Sequence, residues 1–191
     1  MSGVDSSGGN LQRTEEAEYI VFRKPGGGQG QGAALAPISG LRVELWRPSL
    51  GIVPPEQSVR FATWWAFHQA GMFRSRTYGV LLVFDGERVV HRSCVMPAWF
   101  RWPFMAKNDV HISDTSTAPD YRGRGIAVAA ARRIIDVADP SRNVWYATQT
   151  NNAASLSVGR RSGMEQVGRA IRTKRMGLRL LGRLEMASHS N

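Results

Sequence analysis

The stretch TAPDYRGRGIA, residues 117–127, decides the fold of this chain. Before it, the run from Asp109 to Ile112 is predicted to begin a strand. After it, the run from Ile126 to Val137 is rich in alanine and free of glycine and proline, which predicts a helix. Gly123 and Gly125 allow a tight turn between the two. We therefore expect a strand, a glycine turn and the start of a helix.

A turn of this kind is suited to an anion. The first N–H groups of a helix lack intrahelical partners, and the helix dipole favours negative charge there. Arg122 and Arg124 add positive charge at the same place. An ordinary strand-to-helix connection is the alternative. The phosphate loop of NTPases is excluded because no Gly-Lys-Ser/Thr follows, and the dinucleotide fingerprint is excluded because Val128 occupies its third glycine position.

The same stretch resembles motif A of the GNAT superfamily, the acyl-CoA-dependent N-acetyltransferases. That motif runs Gln/Arg-x-x-Gly-x-Gly/Ala, and Arg122, Gly125 and Ala127 fill it. Downstream, the segment from Asn152 to Gly168 is similar to the family's Asn-x-Ala-Ser-Leu…Gly-Phe-x-x-x-Gly segment. The resemblance implies a single α/β (α+β) domain whose central sheet is mixed, mostly antiparallel and flanked by helices.

Domain boundaries follow from composition and from the resemblance. Residues 1–40 are rich in Ser, Gly and Gln and are expected to be a disordered tail, residues 41–186 the GNAT domain, and residues 187–191 a short C-terminal tail. Residues 19–22, YIVF, form an apolar island in that N-terminal tail. The sequence leaves open whether this island docks as an extra strand.

Composition narrows the functional class. The chain has 191 residues, a net charge of +10 and one cysteine, so an internal disulfide is excluded. There is no apolar run long enough to span a bilayer and no signal peptide, so we expect a cytoplasmic protein. The basic surplus favours anionic partners such as CoA or a nucleotide-sugar. Nucleic acid is disfavoured because no nucleic-acid motif is present, and a homodimer remains open.

Residues 98–105, AWFRWPFM, are aromatic, basic and interrupted by proline. Three interpretations stay open: a buried connection, a lid over the acceptor site, or a contact with a membrane interface. The run is similar to a GNAT subgroup found in surface-polysaccharide biosynthesis. This resemblance nominates an amino-sugar nucleotide as the acceptor.

The resemblance also implies which residues bind the co-substrate acetyl-CoA. It implies no metal cofactor. The strand before the turn would pair with pantetheine, the turn would hold the pyrophosphate, and the second motif would lie beside the thioester arm. Asn152 has a simpler alternative as a helix N-cap. The implied residues are Thr117, Arg122, Gly123, Arg124, Gly125, Ile126, Ala127, Asn152 and Ser155.

The implied reaction is direct attack of a primary amine on the acetyl thioester in a ternary complex. The candidate bases are Asp109, His111 and Asp114, and the prediction favours Asp109, which aligns with the catalytic glutamate of histone-acetylating members. Gly159 stands where many members carry the tyrosine that protonates the leaving thiolate. Tyr146, Ser155 or water would then take that part.

Three hypotheses about the function remain open. In the first the chain is an acetyltransferase whose acceptor is an amino-sugar nucleotide, and in the second its acceptor is a protein or another small amine. In the third the chain is a CoA-binding module without catalysis, which the missing tyrosine permits.

Overall fold

The computed structural model describes residues 17–26, 37–49, 59–173 and 182–187. Eight strands and three α-helices lie within these ranges. In chain order they are β1 (Glu18–Lys24), β2 (Arg42–Trp46), α1 (Val59–Gln69), β3 (Gly79–Asp85), β4 (Arg88–Pro97), β5 (Val110–Thr117), α2 (Ile126–Val137), β6 (Val144–Gln149), α3 (Ala153–Arg161), β7 (Glu165–Arg172) and β8 (Leu184–Met186).

The strands form one sheet in the order β2-β3-β4-β5-β6-β1-β7-β8. All neighbours are antiparallel except β5 and β6, which run parallel. On one face, α2 and α3 pack over β5 and β6. On the other, α1 and the connection between β4 and β5 cover a second cluster. The predicted α/β fold with a mixed, mostly antiparallel sheet is therefore confirmed.

Strand β1 lies inside the sheet, antiparallel to β6 on one side and to β7 on the other. Val21 and Phe22 are both fully buried, on opposite faces. The expectation that residues 1–40 form a disordered tail is therefore wrong for residues 18–24. A strand buried on both faces carries a continuous apolar run, which is what the YIVF island is. Within that tail, residues 1–16 and 27–36 lie outside the described residues, as do residues 188–191 of the C-terminal tail.

Elements with strong local signals match their predictions. Strands β3 and β4 form the hairpin predicted at Asp85-Gly86, where Gly86 has a φ of 57°. Helix α2 has the predicted bounds, and α3 begins one residue after Asn152. The two final strands are antiparallel, as predicted, although β8 is only three residues long.

The connection between β4 and β5 crosses the sheet face opposite α2. Trp99 and Met105 are buried, while Trp102 and Phe104 pack against the apolar clusters of that face. Its backbone reaches the far strand β8, where Leu184 N donates to Arg101 O (2.8 Å). Of the three open interpretations for residues 98–105, the structure supports the buried connection.

Candidate functional site

Strands β5 and β6 separate halfway along their length. Their parallel pairing covers three residue pairs and ends where Ile112 pairs with Tyr146. Beyond that point β5 stays with β4 as far as Thr117, and β6 stays with β1 as far as Gln149. The facing backbone edges of the two strands are therefore free to pair with an extended ligand lying in the gap.

A β-bulge lies at the point of separation. Ser113 pairs with Cys94 and Ser116 with Arg92, so both Asp114 and the following residue stand opposite a single residue of β4. Asp114 adopts a φ of 45°, which is uncommon for a residue other than glycine. Such bulges redirect side chains and are over-represented beside active sites.

Beyond the bulge, a partly buried chain of hydrogen bonds joins β5 to β4. Thr117 Oγ1 is bonded to His91 Nδ1 (2.7 Å), His91 Nε2 to Ser93 Oγ (3.0 Å), and Ser93 Oγ to Thr115 Oγ1 (3.1 Å). Burial lowers the pKa of His91 to about 4, so its ring is neutral at pH 7. These bonds hold β5 to β4 along the stretch that has left β6.

The glycine turn after β5 has the predicted geometry. Gly123 and Gly125 both have a φ of 76°, a region that favours glycine. Gly125 is the N-cap of α2 and brings no capping side chain. The first helical hydrogen bond runs from Ala129 N to Gly125 O (3.0 Å), so the preceding N–H groups have no intrahelical acceptor. An anion is the natural partner for such groups.

The two arginines of the turn are exposed and anchored by single bonds to nearby carbonyl groups. Arg122 Nε donates to Thr117 O (3.2 Å), and Arg124 Nη2 donates to Asp120 O (2.9 Å). Among the described residues neither guanidinium donates a further hydrogen bond, so the remaining N–H groups could bind a ligand. Ile126 is buried and Ala127 half-buried, so these two residues can offer only backbone N–H groups to it.

The second motif lies on the β6 side of the gap. Asn152 is the N-cap of α3, where its Oδ1 accepts from Ser155 N (3.0 Å). The Ser155 side chain is hydrogen-bonded to that of Tyr146, whose pKa burial raises above its ordinary value. Tyr146 is therefore a protonated phenol close to the point of separation.

The missing family tyrosine has a tertiary explanation. A Cβ built on Gly159 would lie 2.8 Å from the ring of Phe22, closer than real Cβ contacts. That ring comes from β1 and lies 6.3 Å from the ring of Tyr146. A larger side chain at residue 159 is therefore excluded by the N-terminal strand.

The structure does not support Asp109 as the base. It lies just before β5, at the end where β5 and β6 are still paired, and is 3% exposed. Its carboxylate accepts from Ala106 N (3.0 Å), Asn143 N (3.1 Å) and Trp145 Nε1 (2.7 Å), and also from the Asn143 side chain. These donors occupy the lone pairs that a base needs, so the role of Asp109 is structural.

His111 is also buried rather than presented to the gap. Its ring stacks on Trp102, with ring centroids 4.2 Å apart, and neither ring nitrogen has a hydrogen-bond partner among the described residues. Burial lowers its pKa to about 3. A neutral ring without polar contacts is a core residue of this face.

Asp114 is the one predicted base that lies at the point of separation. It is half-buried, and its Oδ2 accepts from Trp64 Nε1 (2.7 Å), which links β5 to α1. Arg101 lies close enough for the charge of Asp114 to act on its pKa. Sequence analysis did not assign a site role to Trp64, which adjoins no motif, and it treated Arg101 only as part of the run 98–105.

A known family model matches about two thirds of the chain. The model described as "Acetyltransferase (GNAT) family" matches residues 40–164. The chain belongs to the GNAT family. The matched region contains the turn, the bulge and α3 but not β1. No curated protein matches this chain.

Solved structures show the same fold. A GCN5-related N-acetyltransferase from Sphaerobacter thermophilus superposes with a TM-score of 0.53 at 16% identity, covering 82% of this chain and 50% of that one. A Drosophila protein superposes with a TM-score of 0.50 at 13% identity, covering 81% and 49%. This GNAT chain therefore spans about half the length of each of these two proteins.

No helix among the described residues is long and apolar enough to cross a membrane. Among those same residues, no group of three or more His, Cys, Asp or Glu side chains is placed to hold a metal ion.

Proposed function

We propose that this GNAT protein transfers an acetyl group from acetyl-CoA to a primary amine by direct attack in a ternary complex. The observation that carries the proposal is the gap between β5 and β6, which opens beside the uncapped N-terminus of α2. The turn from Arg122 to Ala127 would bind the pyrophosphate, and the free edge of β5 near Thr117 would pair with the pantetheine arm. Alignment of two bound reactants would supply much of the rate gain.

The reaction forms a C–N bond and breaks the C–S bond of the thioester. The amine proton passes to Asp114, directly or through a water molecule, and the thiolate takes up a proton and leaves as free CoA. The backbone N–H near Ser113 would polarise the thioester carbonyl. Tyr146, with Ser155 bonded to it, would take the place of the tyrosine that Gly159 replaces.

The acceptor amine must be neutral to attack. At pH 7, deprotonating a lysine amine costs about 4.6 kcal/mol, whereas an amine of pKa near 8 costs about 1.4 kcal/mol. An amino-sugar nucleotide belongs to the second group, and the similarity of residues 98–105 to the polysaccharide subgroup favours it as an acceptor. A protein or another small amine is the alternative.

The test measures release of free CoA from acetyl-CoA with a panel of amines that includes an amino-sugar nucleotide, a lysine peptide and small amines. We expect amine-dependent release with at least one class. Binding of acetyl-CoA without release for any amine would overturn the proposed activity and favour the inactive CoA-binding module.

A further inference from the structure

An ion pair ties the hairpin of β3 and β4 to the residues that lead into the glycine turn. Arg88, the first residue of β4, donates from Nη1 to Asp120 Oδ2 (2.7 Å) and from Nη2 to Asp120 Oδ1 (3.0 Å). One guanidinium therefore holds both carboxylate oxygens, an arrangement that fixes geometry as well as charge. These bonds lower the pKa of Asp120 below its ordinary value, so the carboxylate is charged at neutral pH.

Two arginines lie over the ring of Tyr121, the residue that follows Asp120. The ring centroid is 5.5 Å from Cζ of Arg88 and 4.7 Å from Cζ of Arg124. The Tyr121 hydroxyl donates to the carboxylate of Asp85, which lies at the end of β3. The hairpin and the start of the glycine turn therefore share one cluster of charged and aromatic side chains.

Within this cluster the Asp120 carboxylate and a bound pyrophosphate would compete for the same arginine. Arg124 donates to the carbonyl of Asp120 (2.9 Å), so its guanidinium lies close to that residue. A carboxylate released from Arg88 would be free to pair with Arg124. An arginine paired in this way has fewer N–H groups and less net charge to offer to an anion.

We propose that Arg88 is a positioning residue for CoA binding, which holds the Asp120 carboxylate away from Arg124. The turn then keeps the positive charge that binds the pyrophosphate. The inference rests on the proposed function, which puts the pyrophosphate at this turn. Arg88 and Asp120 are both exposed, and an exposed ion pair contributes little to stability. Its effect should therefore be seen in the affinity for the ligand rather than in the stability of the fold.

The test measures the dissociation constant of CoA by calorimetry, at low ionic strength because salt screens exposed charges. Arg88→Gln should weaken CoA binding by about fivefold, the upper range for an exposed ion pair. Adding Asp120→Asn to Arg88→Gln should restore most of the affinity, because asparagine has no charge to place on Arg124. Arg88→Lys, which keeps the charge and loses the bidentate geometry, should retain part of the affinity.

Two controls separate this effect from a general loss of positive charge. Arg169→Gln is the matched variant, because Arg169 forms an exposed ion pair with Glu18 (2.9 Å) on the part of the sheet beyond β6. It should leave CoA affinity unchanged. Dephospho-CoA keeps the pyrophosphate and lacks the 3′-phosphate, so Arg88→Gln should weaken its binding by the same factor as that of CoA.

Three results would overturn the inference. They are an unchanged CoA affinity in Arg88→Gln, no recovery in the double variant, and a loss that occurs with CoA but not with dephospho-CoA. No recovery would show that the ion pair acts only as a structural tie.

The binding measurement requires no turnover, so the proposed activity can fail separately. The expected affinities without acetylation of any amine would support the inference and refute the activity. Amine-dependent release of CoA, together with equal CoA affinities for Arg88→Gln and the wild type, would refute the inference alone. Absence of CoA binding by the wild type would refute both.

Discussion

Gly159 of α3 lies directly against Phe22 of β1. A Cβ at this glycine would stand 2.8 Å from two carbons of the phenyl ring, and that ring has no exposed surface. The contact joins the second motif of the family to a strand that lies outside the matched region. It explains why this chain lacks a tyrosine in α3.

The contact predicts a compensating pair of substitutions. Gly159→Ala should lower the free energy of unfolding by about 1–3 kcal/mol, because overpacking a rigid ring outweighs the gain in helix propensity. In the Phe22→Leu background the same change should cost less or be favourable. Chemical denaturation of the four proteins in a double-mutant cycle measures this coupling, and additive effects would contradict it.

Deletion of residues 1–26 should destroy the fold. The deletion removes β1, which pairs with β6 and β7 and contributes the buried Ile20, Val21 and Phe22. We expect loss of the cooperative thermal transition and of near-ultraviolet circular dichroism. An unchanged melting temperature would show that β1 is not part of the stable sheet.

At Gly125 a negative charge should weaken acetyl-CoA binding more than a neutral side chain of the same size. Gly125→Asp places a carboxylate where the pyrophosphate is proposed to bind, and it should weaken acetyl-CoA affinity by about a hundredfold or more. Gly125→Asn is the control of equal size, since asparagine tolerates a left-handed φ and is neutral. Calorimetry with acetyl-CoA should show a much smaller loss for Asn. Equal losses in the two variants would indicate that only backbone geometry is involved.

Substitution of Asp114 should lower the turnover rate, whereas substitution of Asp109 should lower the stability. Asp114→Asn should lower kcat by about a hundredfold or more and leave acetyl-CoA affinity unchanged, because it removes the proposed base. Asp109→Asn should instead lower the free energy of unfolding by about 3 kcal/mol, because the amide cannot accept from all the buried donors. Rates are compared per folded molecule. Near-normal turnover in Asp114→Asn at pH 6–9 would remove it as the base.

Acid should destabilise the protein through its buried histidines. Burial lowers the pKa of His91 to about 4 and that of His111 to about 3, whereas both titrate near 6.5 in an unfolded chain. As pH falls below 6.5 the unfolded state takes up protons that the folded state does not. The free energy of unfolding is therefore at its full value above pH 6.5, and at pH 4 it is lower by about 3 kcal/mol for each of the two histidines.

The contribution of His111 can be isolated. His111→Phe keeps an aromatic ring against Trp102 and removes the titrating group. Its loss of unfolding free energy between pH 7 and pH 4 should be smaller than that of the wild type by about 3 kcal/mol. An identical pH dependence in urea denaturation would show that His111 does not remain neutral in the fold.

Local chemistry made much of the fold predictable. The turn with Gly123 and Gly125, the hairpin at Asp85-Gly86 and the cap at Asn152 each depend on residues a few positions apart, and all three have the predicted form. The two motifs led to the family because turn conformation and helix capping are short-range properties. They also identified the turn that is proposed to bind the pyrophosphate.

The tertiary structure decided what depends on distant parts of the chain. Tyr19 pairs with Gln149, and their separation along the chain hid the place of β1 within the sheet. The spacing between Asp109 and Arg122 along the chain favoured Asp109 as the base. In the structure the bulge puts Asp114 at the gap, and hydrogen-bond donors surround the Asp109 carboxylate. Sequence determines which residues are near along the chain, whereas burial and strand pairing decide which charges face each other.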